Sequence, residues 1–202
     1  MLDSPYWTVS DRALGLFKDR GSAFHALAVP LAASEDFAGI LAEWIAEHRG
    51  ARHHAWAYRV REGSDLVERS HDAGEPSHSA GTPILHALQS AELQHAAVVV
   101  TRYFGGVKLG VGGLIAAYRG AAELAIDAAP RLRVHPEREA VLVLPYSLLG
   151  RMEADAQSDD LRWVDRTFDE VVTLRVRVHA TSAPMWAEHW DQCYPLTWSW
   201  VL

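Results

Sequence analysis

The sequence predicts an α+β protein of two domains, and three observations predict it. Segments with the two-residue alternation of a half-buried strand are interleaved with segments whose apolar residues recur at helical spacing. Two prolines, Pro130 and Pro136, bracket a polar stretch that closes one such series and opens another. The segments beyond it fall in the order β-α-β-β-α-β, the ferredoxin-like pattern, at a length that suits one small domain. The expected domains are residues 1–133 and 134–202.

After a polar start, residues 24–31 (FHALAVPL) read as a strand with a buried stretch. Ser34 suits an N-cap, and Glu35 and Asp36 follow where a helix dipole favours acids. Phe37, Ile40, Leu41, Trp44 and Ile45 then recur at helical spacing, and Gly50 ends the helix. Residues 54–60 (HAWAYRV) alternate as a strand, Glu62, Gly63, Ser64 and Asp65 turn, and LVERS begins the return strand. Residues 70–81 (SHDAGEPSHSAG) have the composition of a loop. Thr82 as N-cap and Pro83 in the first helical position open a helix to about Ala91. Residues 96–104 (AAVVVTRYF) form a near-continuous β-branched run, the mark of a strand covered on both faces. A glycine-rich turn leads into a helix from about Gly113 to Asp127. Beyond the prolines come a strand at 139–145, a helix at 148–156, a hairpin of 161–168 with 171–180, a helix from Ser182 to about Cys193, and a final strand at 196–202.

The chain has 202 residues, 49% apolar and 22% charged, the composition of an ordinary globular protein. Its start has no basic segment leading into an apolar one, so a signal peptide is not expected. The longest apolar run, AAVVV at 96–100, is far short of a bilayer span. The single cysteine, Cys193, excludes an intrachain disulfide and a multi-cysteine zinc site. Cytoplasm is the expected compartment, with no cofactor. A net charge of −7 argues against a general polyanion binder. Yet residues 96–120 carry Arg102, Lys108 and Arg119 without an acid, and 51–61 carry Arg52, Arg59 and Arg61 without one. Any anion site must therefore be local.

Between the buried strand and the next helix stand Gly105, Gly106, Gly110, Gly112 and Gly113. Glycine permits close backbone approach, and free amides at a helix start favour anions. Arg102 and Lys108 would add positive charge there, and Tyr103 and Phe104 offer faces on which a base can stack. The plain alternative is a tight turn that lets the helix pack on the sheet. No Gly-Lys-Ser/Thr completes a P-loop, and Ile115 stands where a dinucleotide fingerprint needs its third glycine.

Ala-Arg-His-His at 51–54, Asp-Ala-Gly-Glu-Pro at 72–76, Ala-Gly-Thr-Pro at 80–83 and the run from Val98 through Arg102-Tyr103-Phe104-Gly105-Gly106 to Tyr118 resemble, in order and spacing, the YigZ/IMPACT family. The resemblance covers about residues 20–127, and the C-terminal segment is similar to that of the bacterial members. It implies an N-terminal α/β two-layer domain of ribosomal-protein-like fold and a ferredoxin-like domain similar to the last domain of elongation factor G. Eukaryotic relatives regulate translation with a further partner-binding domain, and nucleic-acid or ribosome binding is the role proposed for the bacterial ones. Three positions depart from the family pattern. Ala55 replaces a cysteine common after the His-His pair, which removes any thiol nucleophile there. Ala73 replaces a second aspartate, and Ala23, between Ser22 and Phe24, replaces a cation.

The expected function is thus non-catalytic binding of an anionic partner, RNA or the ribosome. Arg52, His53, His54, Arg102, Tyr103, Phe104, Lys108 and the five glycines would form the site, with Asp72, Gly74, Glu75 and Pro76 shaping the loop beside it. One alternative is a metal- or acid/base-dependent hydrolase using His53, His54, Asp72 and Glu75, with His71 and His78 nearby. His53 and His54 are adjacent, however, so on a strand they face opposite sides. The other alternative is a protein-interaction adaptor, which the acidic charge and Trp186, Trp190, Trp198 and Trp200 permit. The loop carboxylates have a structural reading as well, capping loop amides or pairing with Arg52 or Arg102.

Overall fold

The computed structural model of the chain describes residues 4–63, 65–155 and 161–201. The first three residues, Ser64 of the expected turn, Ala156 of the expected helix and Leu202 of the expected last strand lie outside them. The chain divides into two compact units, one of Tyr6–Val134 and one holding the residues from His135 onward. Both mix helix and sheet, giving an α+β two-domain fold.

The first unit contains β1 (Tyr6–Val9), β2 (Ala13–Asp19), β3 (Ser22–Pro30), a 3₁₀ turn (Ser34–Asp36), α1 (Phe37–Glu47), β4 (His53–Glu62), β5 (Asp65–His71), α2 (Gly81–Ser90), β6 (Ala96–Tyr103), α3 (Gly110–Ala128) and β7 (Arg131–Val134). Five strands form one antiparallel sheet in the order β2-β3-β6-β4-β5, and β1 pairs with β7 in a second, two-stranded one. Alternation along the strands sorts the side chains between two cores. Phe24, Ala26, Ala28, Ala55, Ala57, Val98 and Val100 lie with α2 and α3 on one side. Leu27, Val29, Val60, Ala97 and Val99 lie with Phe37 and Trp44 of α1 on the other. The β-branched run at β6 is therefore the central strand, buried from Ala96 to Arg102. Helices cover both faces, so α1 adds a layer to the two-layer arrangement expected. Small residues meet where α3 crosses the sheet. Ala117, Ala121 and Ala125 are buried there, and a Cβ on Gly15 of β2 would come 2.6 Å from the Ala125 nitrogen.

Several boundaries differ from those expected. The polar start contains β1 and β2, and the stretch around Pro130 contains β7, paired with β1 from Tyr6↔Val134 to Val9↔Arg131. Ser34 begins the 3₁₀ turn instead of capping α1. Helices α2 and α3 begin earlier than read, at Gly81 and Gly110.

The second unit contains β8 (Glu137–Leu144), α4 (Tyr146–Asp155), β9 (Leu161–Phe168), β10 (Val172–His179), α5 (Ala183–Asp191) and β11 (Thr197–Trp200). Its antiparallel sheet runs β11-β8-β10-β9, the ferredoxin-like arrangement. Leu142, Leu174, Val176, Met152 and Trp190 centre its core, and Trp186, Trp198 and Trp200 pack against it half-buried.

Candidate functional site

Strand register places the motif residues in two rows across β3, β6 and β4. Phe24, Arg102 and His53 stand side by side in one row, and His25, Thr101 and His54 in the next. Consecutive residues face opposite sides of a sheet. The rows therefore divide the expected site.

In the first row Arg102 is only 8% exposed. Its Nη1 donates to Glu75 Oε1 at 2.8 Å, and Glu75 is 4% exposed. The Tyr118 hydroxyl donates to the same oxygen at 2.8 Å. Burial pushes the Tyr118 pKa far up, and the neighbouring Glu75 carboxylate pushes it further, so the phenol remains a donor. The guanidinium carbon of Arg102 lies 5.6 Å from the Phe24 ring centre and 5.4 Å from that of Phe104. Arg102 was expected to grip an external anion. Its charge instead faces an internal carboxylate, and removing that partner would leave a buried cation uncompensated.

The loop between β5 and α2 is held by its own carboxylate. Asp72 Oδ1 accepts from the amides of Ala80 and Gly81 at 3.0 and 2.8 Å, and Oδ2 accepts from that of His78 at 2.8 Å. Partial burial raises the Asp72 pKa, but the three amide donors outweigh it and hold the carboxyl below its ordinary value. Asp72 thereby caps the start of α2 from a distance, where Thr82 was expected to do so. Gly74 continues the loop at φ +85°, and a Cβ added at Gly81 would meet the His71 backbone at 2.6 Å. The Pro76 carbonyl accepts from the Ser79 hydroxyl at 2.6 Å. Within this frame the Ala73 carbonyl lies 2.9 Å from His53 Nδ1. A carbonyl only accepts, so Nδ1 carries the proton of that bond and Nε2 is the nitrogen left for another partner.

The result is a cleft of 450 Å³ lined by residues 50–53 and 102–104. Arg52 is exposed at its edge, and Phe104 is 60% exposed. Lys108 stands exposed in the glycine loop, and neither it nor Arg52 has an ion-pair partner among the described residues. The loop is pinned at Gly105, whose amide donates to Ser22 Oγ at 3.1 Å and whose Cα leaves no room for a Cβ beside the Gly21 backbone. Gly106 adopts φ +90° and Gly110 φ +72°. Helix α3 then starts after Leu109 with no side-chain cap, and Gly110, Val111 and Gly112 are exposed. Gly113 packs on Leu109, and open space surrounds Gly112. Among the described residues no side chain caps the first-turn amides.

The second row lies on the α1 face, away from this cleft. His54 Nδ1 is 2.8 Å from Thr101 Oγ1, which also accepts from Trp44 Nε1 at 2.8 Å. Burial, with the neighbouring His53 adding, lowers the His54 pKa. Tyr103 extends its hydroxyl to His48 Nδ1 at 3.0 Å and sets its ring edge-on to His25. So His54 and Tyr103 serve the packing of α1; Tyr103 also lines the cleft, and Phe104 is its exposed ring. The proposed hydrolytic grouping of His53, His54, Asp72 and Glu75 is not assembled, because the histidines are on opposite faces and the carboxylates are engaged. Among the described residues, no cluster of three or more His, Cys, Asp or Glu is arranged for a metal ion. Nor, among the described residues, is any helix long and apolar enough to cross a membrane. Sequence reasoning missed Tyr118, one more apolar-face position of an alanine-rich helix, and Ser22, which it noted only beside a missing cation.

Residues 20–126 match the family model of the Impact N-terminal domain. An IMPACT family member of Thermus thermophilus, described by its place in the pol 5′ region, is 37% identical over 159 residues, 78% of this chain and 84% of that protein. The IMPACT family member YigZ of Escherichia coli strain K12 is 36% identical over 137 residues, 67% of each chain. A crystal structure of a hypothetical protein matches with a TM-score of 0.68 at 27% identity, covering 98% of both chains. With its motifs, its fold and these similarities in agreement, the chain belongs to the IMPACT family.

Proposed function

We propose that this protein binds a phosphate-rich partner, RNA or the ribosome, without catalysis, in a cytoplasmic role connected with the regulation of translation. The observation that carries the reading is the division of charge between the loop carboxylates and the cations of the motif segments. Glu75 and Asp72 are engaged inside the molecule, while Arg52 and Lys108 are exposed and α3 starts at exposed residues without a side-chain cap. Such a surface attracts phosphate through cations and backbone donors. With so few cations on a chain of net charge −7, the binding is weak, sensitive to salt and indifferent to sequence. The translation part of the reading rests on family membership, since eukaryotic relatives regulate translation.

The test is the salt dependence of RNA binding by the wild type and by Arg52→Ala and Lys108→Ala. Each substitution is expected to reduce the slope of log affinity against log salt by about one phosphate contact. A wild-type slope of zero would remove the reading.

A further inference from the structure

The cleft has a feature that phosphate binding does not call for. Phe104 exposes 60% of its surface at the cleft wall, where a solvated aromatic ring is unfavourable. One face of this exposed ring is in contact with a cation that is itself held in place. The Arg102 guanidinium lies over it at 5.4 Å and over Phe24 at 5.6 Å, and Glu75 holds that guanidinium from the side at 2.8 Å. Phe24 is fully buried and stands edge-on to Tyr118, which bonds the same Glu75 oxygen. A chain of packed and ion-paired groups thus runs from the core to the back of the Phe104 ring. An aromatic face held in place loses little freedom when a flat ligand covers it, which is the condition for a stacking platform.

We propose that the cleft takes an unpaired nucleotide, its base against Phe104 and its phosphate toward Arg52, so that the protein selects single-stranded RNA over duplex. The volume of 450 Å³ lies within the range of about 300–1,000 Å³ usual for small-ligand clefts. Every base has a π-face, so stacking of this kind tolerates any sequence. A duplex keeps those faces inside its own stack and offers the cleft only phosphates and groove edges. The inference rests on the phosphate-binding reading and adds the base to it.

Three probes of equal length separate the two: a single-stranded oligoadenylate, an abasic strand with the same phosphates, and an RNA duplex. In fluorescence anisotropy at one fixed salt concentration, wild-type protein is expected to bind the oligoadenylate about tenfold more tightly than the other two. Phe104→Leu, which keeps an apolar side chain but no ring, is expected to lose that advantage, and Phe104→Trp to keep it. Arg52→Ala should weaken all three probes alike. Equal binding of all three by the wild type, with the Arg52 effect intact, overturns the single-strand inference and leaves the phosphate reading standing. An oligoadenylate preference that survives in Phe104→Leu overturns it as well. Failure of every probe to bind removes both.

Discussion

Arg102, taken alone in the sequence, is a cation beside a glycine loop; in the fold it is the centre of a buried ion pair. Its Nη1 and the Tyr118 hydroxyl both converge on Glu75 Oε1, and all three side chains are shielded from water. A pair of this kind adds little compared with an apolar replacement, but losing one partner is costly because the other charge stays desolvated. Glu75→Ala should therefore destabilise the protein by about 3–5 kcal/mol. Glu75→Gln keeps an acceptor for both donors and should fall between it and the wild type. Urea unfolding read by circular dichroism measures the difference, and an unchanged midpoint for the alanine variant would mean that the pair does not hold the loop. The pairing was only half legible. Both residues stand out in the sequence, and pairing of the loop carboxylates with Arg52 or Arg102 was among the alternatives. That Arg102 is its partner depends on the path of a loop whose conformation rests on left-handed backbone at Ala73, Gly74 and His78. Residue types alone do not report that path.

At the scale of elements, the helix starts decide how much of the site is open. Helix α2 begins with the amides of Ala80 and Gly81 bound by Asp72, a residue nine positions before Gly81, whereas α3 begins without a side-chain cap. The Asp72 pKa is depressed in the folded protein. Its contribution is thus fully present above the unfolded carboxylate value of about 4 and is lost as pH falls through the folded value. Asp72→Asn, which can no longer accept at two oxygens, should lower stability by about 1 kcal/mol near neutrality. That gap should close as both proteins are taken into acid, where the wild-type carboxyl is neutral too. A gap that persists unchanged at low pH would assign the effect to shape instead of charge. Two elements were legible for a plain reason: α1 carries apolar residues at helical spacing, and β6 carries the unbroken β-branched run of a strand buried on both faces. Strand β2 was not. Leu14 and Leu16 face outward while Gly15 turns inward against α3, so the usual alternation is inverted. Gly105 was singled out by composition, but the Gly21 backbone that forbids a side chain there is a contact between distant segments.

For the whole molecule, each of the two units has a core of its own, and every residue of the proposed site lies in the first. The order β-α-β-β-α-β of the second unit was readable from alternating and helical segments. The junction was read as a polar connection around two prolines, yet β7 occupies most of it. That strand pairs with β1, Gln94 donates to the Trp7 carbonyl at 2.8 Å, and the Thr8 hydroxyl donates to that of His95 at 2.9 Å. These bonds tie the two ends of the first unit to one another and to the segment entering β6. A fragment ending after Val134 should therefore unfold cooperatively, and it should bind RNA with the same salt slope as the full chain. A fragment ending before β7 loses the partner of β1 and exposes the edge of that strand. It should unfold at lower urea while its cleft, built from residues 50–53 and 102–104, keeps the same lining. If the longer fragment folds by circular dichroism but no longer binds RNA, the second unit supplies contacts of its own, and the site at residues 102–113 is not sufficient for binding.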